Sequence, residues 1–419
     1  MKLDSAPNIP ATRLVHVDLR QVIYALSDAL DLVGIDDVAH GKRVGIMAAA
    51  CARILGWSED AITFMFDLGM LHDVGVSSTR SHTHLVTEFD WAGAQQHCEI
   101  GYALLRNFTP LAALAEPVRY HHTRWQHLQH SPEPSPQAAL QANLVYLVDR
   151  VDAQAAPYYV GGELLLHTTA IRQKIQDCSG SYFAPQLVSA FLRASSTEAF
   201  WLQLEPRGIQ GALQDMLSQG MPCDASLAQI KQLATIFSQI VDAKSAFTGQ
   251  HSFGVARLAR LIAERMGVDA TQCDKLEIAA LLHDLGKLRV PDEVLDKPAA
   301  LDERERKIIN AHSFETFQIL HQIKGFEEIA HWAAYHHEEP NGNGYPFHIC
   351  GDTLPLEARI LRVADIFQAL AQDRPYRAGL PPEAIAEILR RLVSNGRAER
   401  AIVDAALSDM NESMRAACP

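Results

Sequence analysis

The chain has 419 residues, of which 48% are hydrophobic and 21% are charged, so its composition is that of a folded globular protein with more than one domain. Its formal net charge of −13 and the absence of a Lys/Arg-rich run argue against binding to duplex nucleic acid or to an anionic membrane. Seven scattered cysteines, no apolar signal core and no membrane-spanning stretch favour a cytoplasmic protein with reduced thiols.

In chain order, the long segments show helical periodicity. The first clear one, from Ala61 to His72, is followed by Gly75. The stretch from Asp274 to His283 repeats the pattern and is followed by Gly286, which we interpret as a helix stop. Alternating strand patterns are almost absent. The sequence therefore predicts an all-α fold.

Residue types that bind metals occur in two series, in the same order and at nearly the same spacing. The first His precedes a His-Asp pair by 32 residues in both series, because 72 − 40 = 32 and 283 − 251 = 32. A later His precedes a His-His pair by 24 residues in both, because 121 − 97 = 24 and 336 − 312 = 24. The first series is His40, His72, Asp73, His97, His121, His122 and Asp149. The second is His251, His283, Asp284, His312, His336, His337 and Asp365.

This repeat divides the chain into two tandem copies of one metal-binding module. We place the first copy in residues 1–205 and the second in residues 226–419. Glycine and proline punctuate the segment between them, so residues 206–225 are predicted to be a linker. Loop-like stretches follow the His-His pair in both copies, at 131–136 and 340–346.

The chemistry of the ligands favours a two-metal site. Imidazole and carboxylate together suit a first-row divalent ion. Seven side chains exceed the needs of one tetrahedral ion, and no thiolate is placed to join them, so two ions of iron or manganese character are favoured over a structural zinc. Two ions about 3.5–4 Å apart can hold a bridging hydroxide for attack on phosphorus. The expected substrate is a phosphate ester or anhydride.

The second copy also resembles a known family, the HD-GYP subgroup of the HD phosphohydrolases. The resemblance covers most of residues 226–419. Its motifs are Thr248-Gly-Gln-His251, His283-Asp-Leu-Gly-Lys-Leu-Arg-Val-Pro-Asp292, His336-His-Glu-Glu-Pro-Asn-Gly-Asn-Gly-Tyr-Pro346, Ala364-Asp-Ile-Phe367 and Asp373-Arg-Pro-Tyr-Arg377. It implies an HD-type helical domain that hydrolyses cyclic di-GMP or cyclic GMP-AMP to a linear dinucleotide or mononucleotides.

The resemblance assigns a role to each matching residue of the second copy. It implies that the seven residues of the second series bind the metals and that Asp284 and Lys287 are catalytic. Lys287 would also contact the scissile phosphate and help to protonate the leaving oxygen. Arg374 would hold the second phosphate or a guanine edge, and Tyr345 would shape the mouth of the substrate pocket.

Four positions of the second copy depart from the family pattern. Phe247 stands where some members have a glutamate that binds a third metal, which favours two metals here. Asn341 replaces an aspartate of the signature loop. His348 stands where glycine is usual, so a different path of the loop is expected. Gln368 replaces an aspartate one helical turn after Asp365, which puts the tuning of that ligand in doubt.

The first copy keeps the ligands but differs around them. Val76 occupies the position of Lys287, no arginine matches Arg374, and no Gly-Tyr-Pro follows His122. We interpret residues 1–205 as a divergent HD domain that binds a metal or another ligand and regulates the second copy.

Other functions are compatible with the same residues. The chain could hydrolyse another nucleotide, although the Gly-Tyr-Pro loop and Arg374 speak against it. It could instead be a receptor or scaffold that binds a cyclic dinucleotide without turnover, although Lys287 and the complete ligand set speak against that. The apolar content of a signalling enzyme is also compatible with a homodimer.

Overall fold

The computed structural model describes residues 14–34, 39–91, 93–219, 224–244, 250–373 and 378–418. Within these residues the chain forms 23 α-helices, three short 3-10 helices and two short strands. The all-α prediction is therefore confirmed, and the departure from it is a two-stranded ribbon. Among the described helices, none is both long enough and apolar enough to cross a membrane.

Twelve α-helices precede the second strand. They are α1 Leu19–Asp31, α2 His40–Ile54, α3 Glu59–Leu71, α4 Thr79–Thr87, α5 Gln95–Leu105, α6 Ala112–Tyr120, α7 Trp125–Leu128, α8 Pro136–Tyr159, α9 Leu164–Asp177, α10 Pro185–Ala194, α11 Glu198–Leu202 and α12 Pro206–Gln219. A 3-10 helix at Leu32–Gly34 follows α1.

Eleven α-helices follow the second strand. They are α13 Leu227–Lys244, α14 His251–Arg265, α15 Ala270–Leu282, α16 Asp292–Leu295, α17 Glu303–Asn310, α18 His312–Leu320, α19 Glu327–Ala334, α20 Leu356–Ala371, α21 Pro382–Ser394, α22 Arg400–Leu407 and α23 Met410–Ala417. The remaining 3-10 helices are Leu285–Arg289 and Gly351–Thr353.

The helices predicted before each His-Asp pair are present and begin at side-chain caps. Ser58 caps α3 by accepting from the N–H of Ala61, and Asp269 caps α15 in the same way at two residues. Helix α2 packs against α3 and α8, and α14 packs against α15 and α20. The two copies therefore bury equivalent helices around equivalent ligands.

The glycine after each His-Asp pair has a reason other than stopping a helix. A Cβ atom at Gly75 would lie 2.0 Å from the carbonyl oxygen of His97, and one at Gly286 would lie 2.1 Å from that of His312. Only glycine allows this close approach of two backbones. The pair of glycines thus brings the His-Asp turn against the helix that carries the next ligand.

The two halves of the chain are joined by more than the segment between them. The strand Leu14–Asp18, which we call β1, pairs antiparallel with Asp224–Ser226, or β2. Helix α1 packs against α13, α18 and the 3-10 helix Leu285–Arg289 of the second half. In the segment 206–225, predicted to be a linker, residues 206–219 form α12, which packs against α2.

Candidate metal centres

In the second half, the predicted ligands lie on helices that converge on one point. His251 begins α14, His283 follows the last residue of α15, and His312 begins α18. The pair His336–His337 follows α19, whereas Asp365 lies within α20. Five packed helices therefore hold these side chains in place, which is the arrangement that a metal site of defined geometry requires.

Asp284 lies in the middle of this cluster, with one carboxylate oxygen facing each side of it. Its Oδ2 is 3.3 Å from Nε2 of His283 and 3.7 Å from Nε2 of His251. Its Oδ1 is 3.4 Å from Nε2 of His312 and 3.9 Å from Nε2 of His336. A carboxylate placed in this way can bridge two cations.

The other ligands divide between the two sides of Asp284. Donor atoms of His251, His283 and Asp365 all lie within 4.8 Å of one another. Those of His312, His336 and His337 do so as well. The structure thus brings all seven predicted ligands of the second series together.

Backbone carbonyls determine which nitrogen of each imidazole faces the centre. Nδ1 of His283, His312 and His336 lies 2.6–2.7 Å from the carbonyl oxygen three residues earlier. Because a carbonyl oxygen only accepts, each Nδ1 carries the proton and donates it. Nε2 therefore presents its lone pair to the cluster, as a metal ligand does.

Gln368 orients the fourth imidazole, which corrects an expectation from the sequence. Its Oε1 lies 2.5 Å from Nδ1 of His251, so Gln368 supports His251 and not Asp365. The sequence places Gln368 one helical turn from Asp365, but the packing of α14 against α20 turns its side chain towards His251.

Replacing Gln368 by alanine is expected to weaken metal binding by about 10–100-fold, because an imidazole that loses its outer hydrogen bond is held less firmly. Competition with a chromogenic chelator measures this affinity. Gln372→Ala is the matched control, since it removes the amide partner of Gln368 but leaves His251 supported. Equal affinities for Gln368→Ala and the wild type would contradict the assignment.

Burial and neighbouring charges hold several metal ligands of the second half in the protonation state that binds a cation. Burial lowers the pKa of His312 to about 4 and lowers the pKa of His336 and His337 well below the usual range, so these imidazoles are neutral at pH 7. Burial alone would raise the pKa of Asp284, but neighbouring His283 and Lys287 hold it well below its usual range. Neutral imidazole and ionised carboxylate are the forms that bind metals.

Several donor atoms of both copies are buried without a hydrogen-bond partner. They include Nε2 of His283 and Oδ1 of Asp284 in the second copy, and Nε2 of His72 and Oδ1 of Asp73 in the first. Leaving such an atom unpaired costs about 1–3 kcal/mol, so proteins rarely do so without a ligand. These residues therefore fit divalent cations.

Lys287, the predicted catalytic lysine of the second copy, lies beside the cluster. Nζ of Lys287 is 2.5 Å from Oδ2 of Asp284, and the lysine side chain is 22% exposed. Lys287 is thus close to the ligands and also reaches solvent. Arg374 and Phe247 lie outside the described residues.

The Gly-Tyr-Pro loop packs directly on the metal ligands. The ring of Tyr345 lies 4.7 Å from that of His337, with 31° between their planes. Glu338, which the sequence analysis did not single out, accepts from the backbone N–H of Phe347 at 2.7 Å and of Ile349 at 3.1 Å. A Cβ atom at Gly344 would lie 2.3 Å from Cα of Glu338, so this position requires glycine.

His348 takes the backbone conformation that favours glycine. Its φ is 56°, in the left-handed region. The histidine therefore fits at the glycine position of the family pattern at a cost of about 1–2 kcal/mol.

The first half assembles the same kind of cluster around Asp73. Its Oδ1 is 3.2 Å from Nε2 of His97 and 3.6 Å from Nε2 of His121. Its Oδ2 is 3.5 Å from Nε2 of His72 and 3.9 Å from Nε2 of His40. The donor atoms that lie within 4.8 Å of one another include those of Asp73, His97, His121 and His122.

Two buried arginines of the first copy bind its carboxylates. Arg150 donates to Asp149 through Nη2 at 2.8 Å and through Nε at 3.2 Å. Arg43 donates to Asp152 through Nε at 2.6 Å and Nη2 at 2.9 Å. Asp152 also lies 2.8 Å from Nδ1 of His40 and so takes the role of Gln368. The sequence did not indicate that the side chains of Arg43 and Arg150 bind these carboxylates.

A thiol also lies beside the first cluster, which corrects the expectation that none is close. Sγ of Cys98 is 3.7 Å from Nε2 of His97 and 3.5 Å from Nδ1 of His121. Burial would raise the pKa of Cys98, but the two imidazoles lower it to about 6. Cys98 directly follows the predicted ligand His97, and this position in the sequence could have indicated a thiol near the cluster.

A small cavity adjoins the His40 and His72 side of the first cluster. The cavity there has a volume of about 20 Å³ and is lined by residues that include His40, His72, Asp73, Val76 and His82. This volume holds a water molecule but not a dinucleotide. Buried His82 of α4, which the sequence did not indicate, also lines this cavity.

Comparisons with known proteins agree with this geometry. A family model described as HD domain matches residues 235–401, and another of the same description matches residues 38–154. The 3'3'-cGAMP-specific phosphodiesterase 1 of Vibrio cholerae is 36% identical over 393 residues, which are 93% of this chain and 91% of that protein. The cyclic di-GMP phosphodiesterase response regulator RpfG of Xanthomonas campestris is 40% identical over 125 residues, 29% of this chain and 33% of that protein.

A solved structure shows the same fold across both halves. The crystal structure of a cyclic GMP-AMP-specific phosphodiesterase of V. cholerae, V-cGAP3, superimposes with a TM-score of 0.64 at 26% identity, and it covers 94% of this chain and 98% of that one. The protein is thus a tandem HD-domain phosphohydrolase. It belongs to the HD-GYP family of metal-dependent cyclic-dinucleotide phosphodiesterases, as the sequence predicted.

Proposed function

We propose that the second half of the chain hydrolyses 3'3'-cyclic GMP-AMP in preference to other cyclic dinucleotides. The observation that carries this proposal is the similarity that spans both halves, because that V. cholerae relative is named as specific for this dinucleotide. Two relatives named for cyclic di-GMP match only 29% and 38% of the chain. Products are a linear dinucleotide or mononucleotides.

Its substrate preference can be tested with purified protein supplied with Mn²⁺ or Fe²⁺. We expect kcat/KM for 3'3'-cyclic GMP-AMP to exceed that for cyclic di-GMP, measured by chromatography of the products. Equal or higher kcat/KM for cyclic di-GMP would overturn the preference, and no product from either would overturn catalysis.

The proposed metal centre of the second half holds two divalent ions of iron or manganese character. Imidazole and carboxylate donors with Asp284 between them suit such ions. When bound, these ions activate water and neutralise phosphate charge. The residues on one side of Asp284 are His251, His283 and Asp365, and those on the other side are His312, His336 and His337.

Lys287 is proposed to act on the substrate together with Asp284. Its ammonium lies against the Asp284 carboxylate, and its partial exposure lets it approach a phosphate oxygen. There it stabilises the charge that develops on the phosphate and donates a proton to the leaving oxygen. Arg374 is proposed to hold the second phosphate or a guanine edge. Tyr345, which lies on His337, is proposed to line the mouth of the pocket.

The first half is proposed to regulate the second through Asp292. The Asp292 carboxylate accepts from the hydroxyl of Ser78 at 2.7 Å and from the backbone N–H of Thr79 and Arg80 at 3.1 and 3.2 Å. These groups form the N-terminus of α4, where a carboxylate is electrostatically favourable. The buried Lys244 pairs with Asp292 at 3.2 Å and completes the contact.

This contact joins two segments that each begin at a predicted metal ligand. Residues 73–79 lead from the ligand Asp73 to α4, and residues 284–292 lead from Asp284 past Lys287 to Asp292. A shift of one connection therefore displaces the other, because the Asp292 carboxylate joins their ends. This supports a regulatory first half.

Replacing Asp292 by alanine is expected to lower the free energy of unfolding by about 1–3 kcal/mol, because Lys244 and the α4 N-terminus lose a charged partner. We also expect a several-fold fall in kcat, since the connection that carries Lys287 loses its anchor. Chemical denaturation and steady-state kinetics measure the two effects. Exposed Glu293 beside it provides the control variant Glu293→Ala. A variant with wild-type kcat would leave Asp292 with a purely structural role.

We place the protein in the cytoplasm because cysteines 51, 98, 178, 273, 350 and 418 are free thiols. A homodimer is a further prediction, and sedimentation equilibrium of the purified chain tests it.

A further inference from the structure

We propose that the first copy holds a single divalent ion in a closed tetrahedral site, and that buried Arg150 replaces the second ion. The ligands of this site are Asp73, His97, His121 and His122. The inference rests on the proposed metal-binding role of the first series, but it does not depend on turnover by the second.

The spacing of the donors fits one small ion. For a tetrahedral ion with ligand distances of about 2.0–2.1 Å, neighbouring donors lie about 3.3–3.4 Å apart. Nε2 of His97 is 3.1 Å from Nε2 of His121 and 3.2 Å from Oδ1 of Asp73. Oδ1 of Asp73 is 3.6 Å from Nε2 of His121. Oδ1 of Asp73 is also buried without a hydrogen-bond partner, which marks it as a ligand atom.

The side of Asp73 that faces His40 and His72 is different, because the carboxylate of Asp149 on that side is already bound by Arg150. Arg150 donates to both oxygens of Asp149, through Nη2 at 2.8 and 3.1 Å and through Nε at 3.2 Å. Its Nη1 donates to the carbonyl oxygen of Glu88 at 2.7 Å, so the guanidinium is fixed. A fixed positive charge on Asp149 satisfies that carboxylate as a second cation would.

Among the described residues of the second copy, no arginine donates to the corresponding Asp365. The residue after Asp365 is Ile366, and an oxygen of Asp365 lies within 4.8 Å of the donor atoms of His251 and His283. In the first copy the trio within that distance is His40, His72 and Asp73, and Asp149 lies 3.5 Å from Nε2 of His40 with Arg150 bound to it. Lys287 is not a counterpart of Arg150, since its side chain is 22% exposed against 3% for Arg150.

Four protein ligands leave no open position on the ion. Three imidazoles and one carboxylate complete a tetrahedron, a coordination that zinc commonly adopts in proteins. His312, His336 and His337 offer the same donors beside Asp284, so the difference between the copies is the second ion, whose place Arg150 takes. The expected ion is therefore Zn²⁺ or another ion that accepts tetrahedral coordination.

Ion counting in the full chain tests the proposal. The second centre is first emptied by His283→Ala with Asp284→Ala, and the protein is stripped, reloaded with Zn²⁺, desalted and analysed by mass spectrometry. We expect one ion per chain in this background. We expect His121→Ala added to it to lose that ion and His40→Ala to keep it.

A count of two ions, a count of none, or equal loss from His121→Ala and His40→Ala would overturn the single-ion site. Arg150→Ile, which copies Ile366, is expected to add a second ion, and an unchanged count would overturn the role of Arg150. If circular dichroism shows that the emptied background is unfolded, the test uses the otherwise unmodified chain, where Arg150→Ile should raise the count from three to four. Failure of the proposed catalysis is separate, because it appears as absent turnover with this count unchanged.

Discussion

Replacing Lys287 by alanine is expected to lower kcat for the cyclic dinucleotide by about 10²–10³-fold, with the metal content of the chain unchanged. A loss of this size follows when one positioned charge no longer stabilises the transition state. Lys287 can supply that charge because its ammonium lies 2.5 Å from Asp284 and its side chain reaches solvent.

Arg289→Ala is the matched control for this variant. Arg289 lies in the same 3-10 helix and is more exposed, but it pairs with Glu315 and not with a metal ligand. We expect wild-type kcat from Arg289→Ala. If Lys287→Ala and Arg289→Ala retain the same kcat, Lys287 does not act on the substrate.

Replacing Asp284 by asparagine is expected to lower kcat by at least about 10³-fold, beyond the loss from a single electrostatic donor. The substitution preserves the shape of the side chain but removes the charge that faces both sides of the cluster. We expect the second copy to lose both ions, as measured by mass spectrometry of the reloaded protein.

Asp73→Asn is the corresponding variant of the first copy. It should remove one ion and change kcat by less than tenfold, because Val76 stands in the place of Lys287 and no Gly-Tyr-Pro follows His122. Full activity of Asp284→Asn would contradict the proposed bridging role, and equal losses from the two variants would contradict the division of function between the copies.

The two series of metal ligands could be predicted because their spacing along the chain is repeated. The spacings of 32 and 24 residues recur in both copies, and the structure brings both series together. The helices before the His-Asp pairs were also predictable, since apolar periodicity and capping residues determine them locally.

Contacts that depend on helix packing could not be predicted. Gln368 lies on the same helix as Asp365, but it meets His251 because α14 crosses α20 at that point. Asp292 meets Ser78 across 214 positions of the chain, and no local pattern encodes that contact. The direction of the Arg150 side chain is likewise a property of the folded first copy. Sequence therefore indicated the ligands but not the residues that orient or replace them.

One comparison tests most directly the claim that catalysis belongs to the second copy alone. Turnover of 3'3'-cyclic GMP-AMP and metal content are measured for His283→Ala/Asp284→Ala and for His72→Ala/Asp73→Ala in the full chain. We predict that the first double variant loses turnover, whereas the second keeps it at an altered rate with one ion fewer. Unchanged turnover and metal content in His72→Ala/Asp73→Ala would refute the regulatory role of the first copy. Turnover that survives in His283→Ala/Asp284→Ala but is lost in His72→Ala/Asp73→Ala would contradict the central claim.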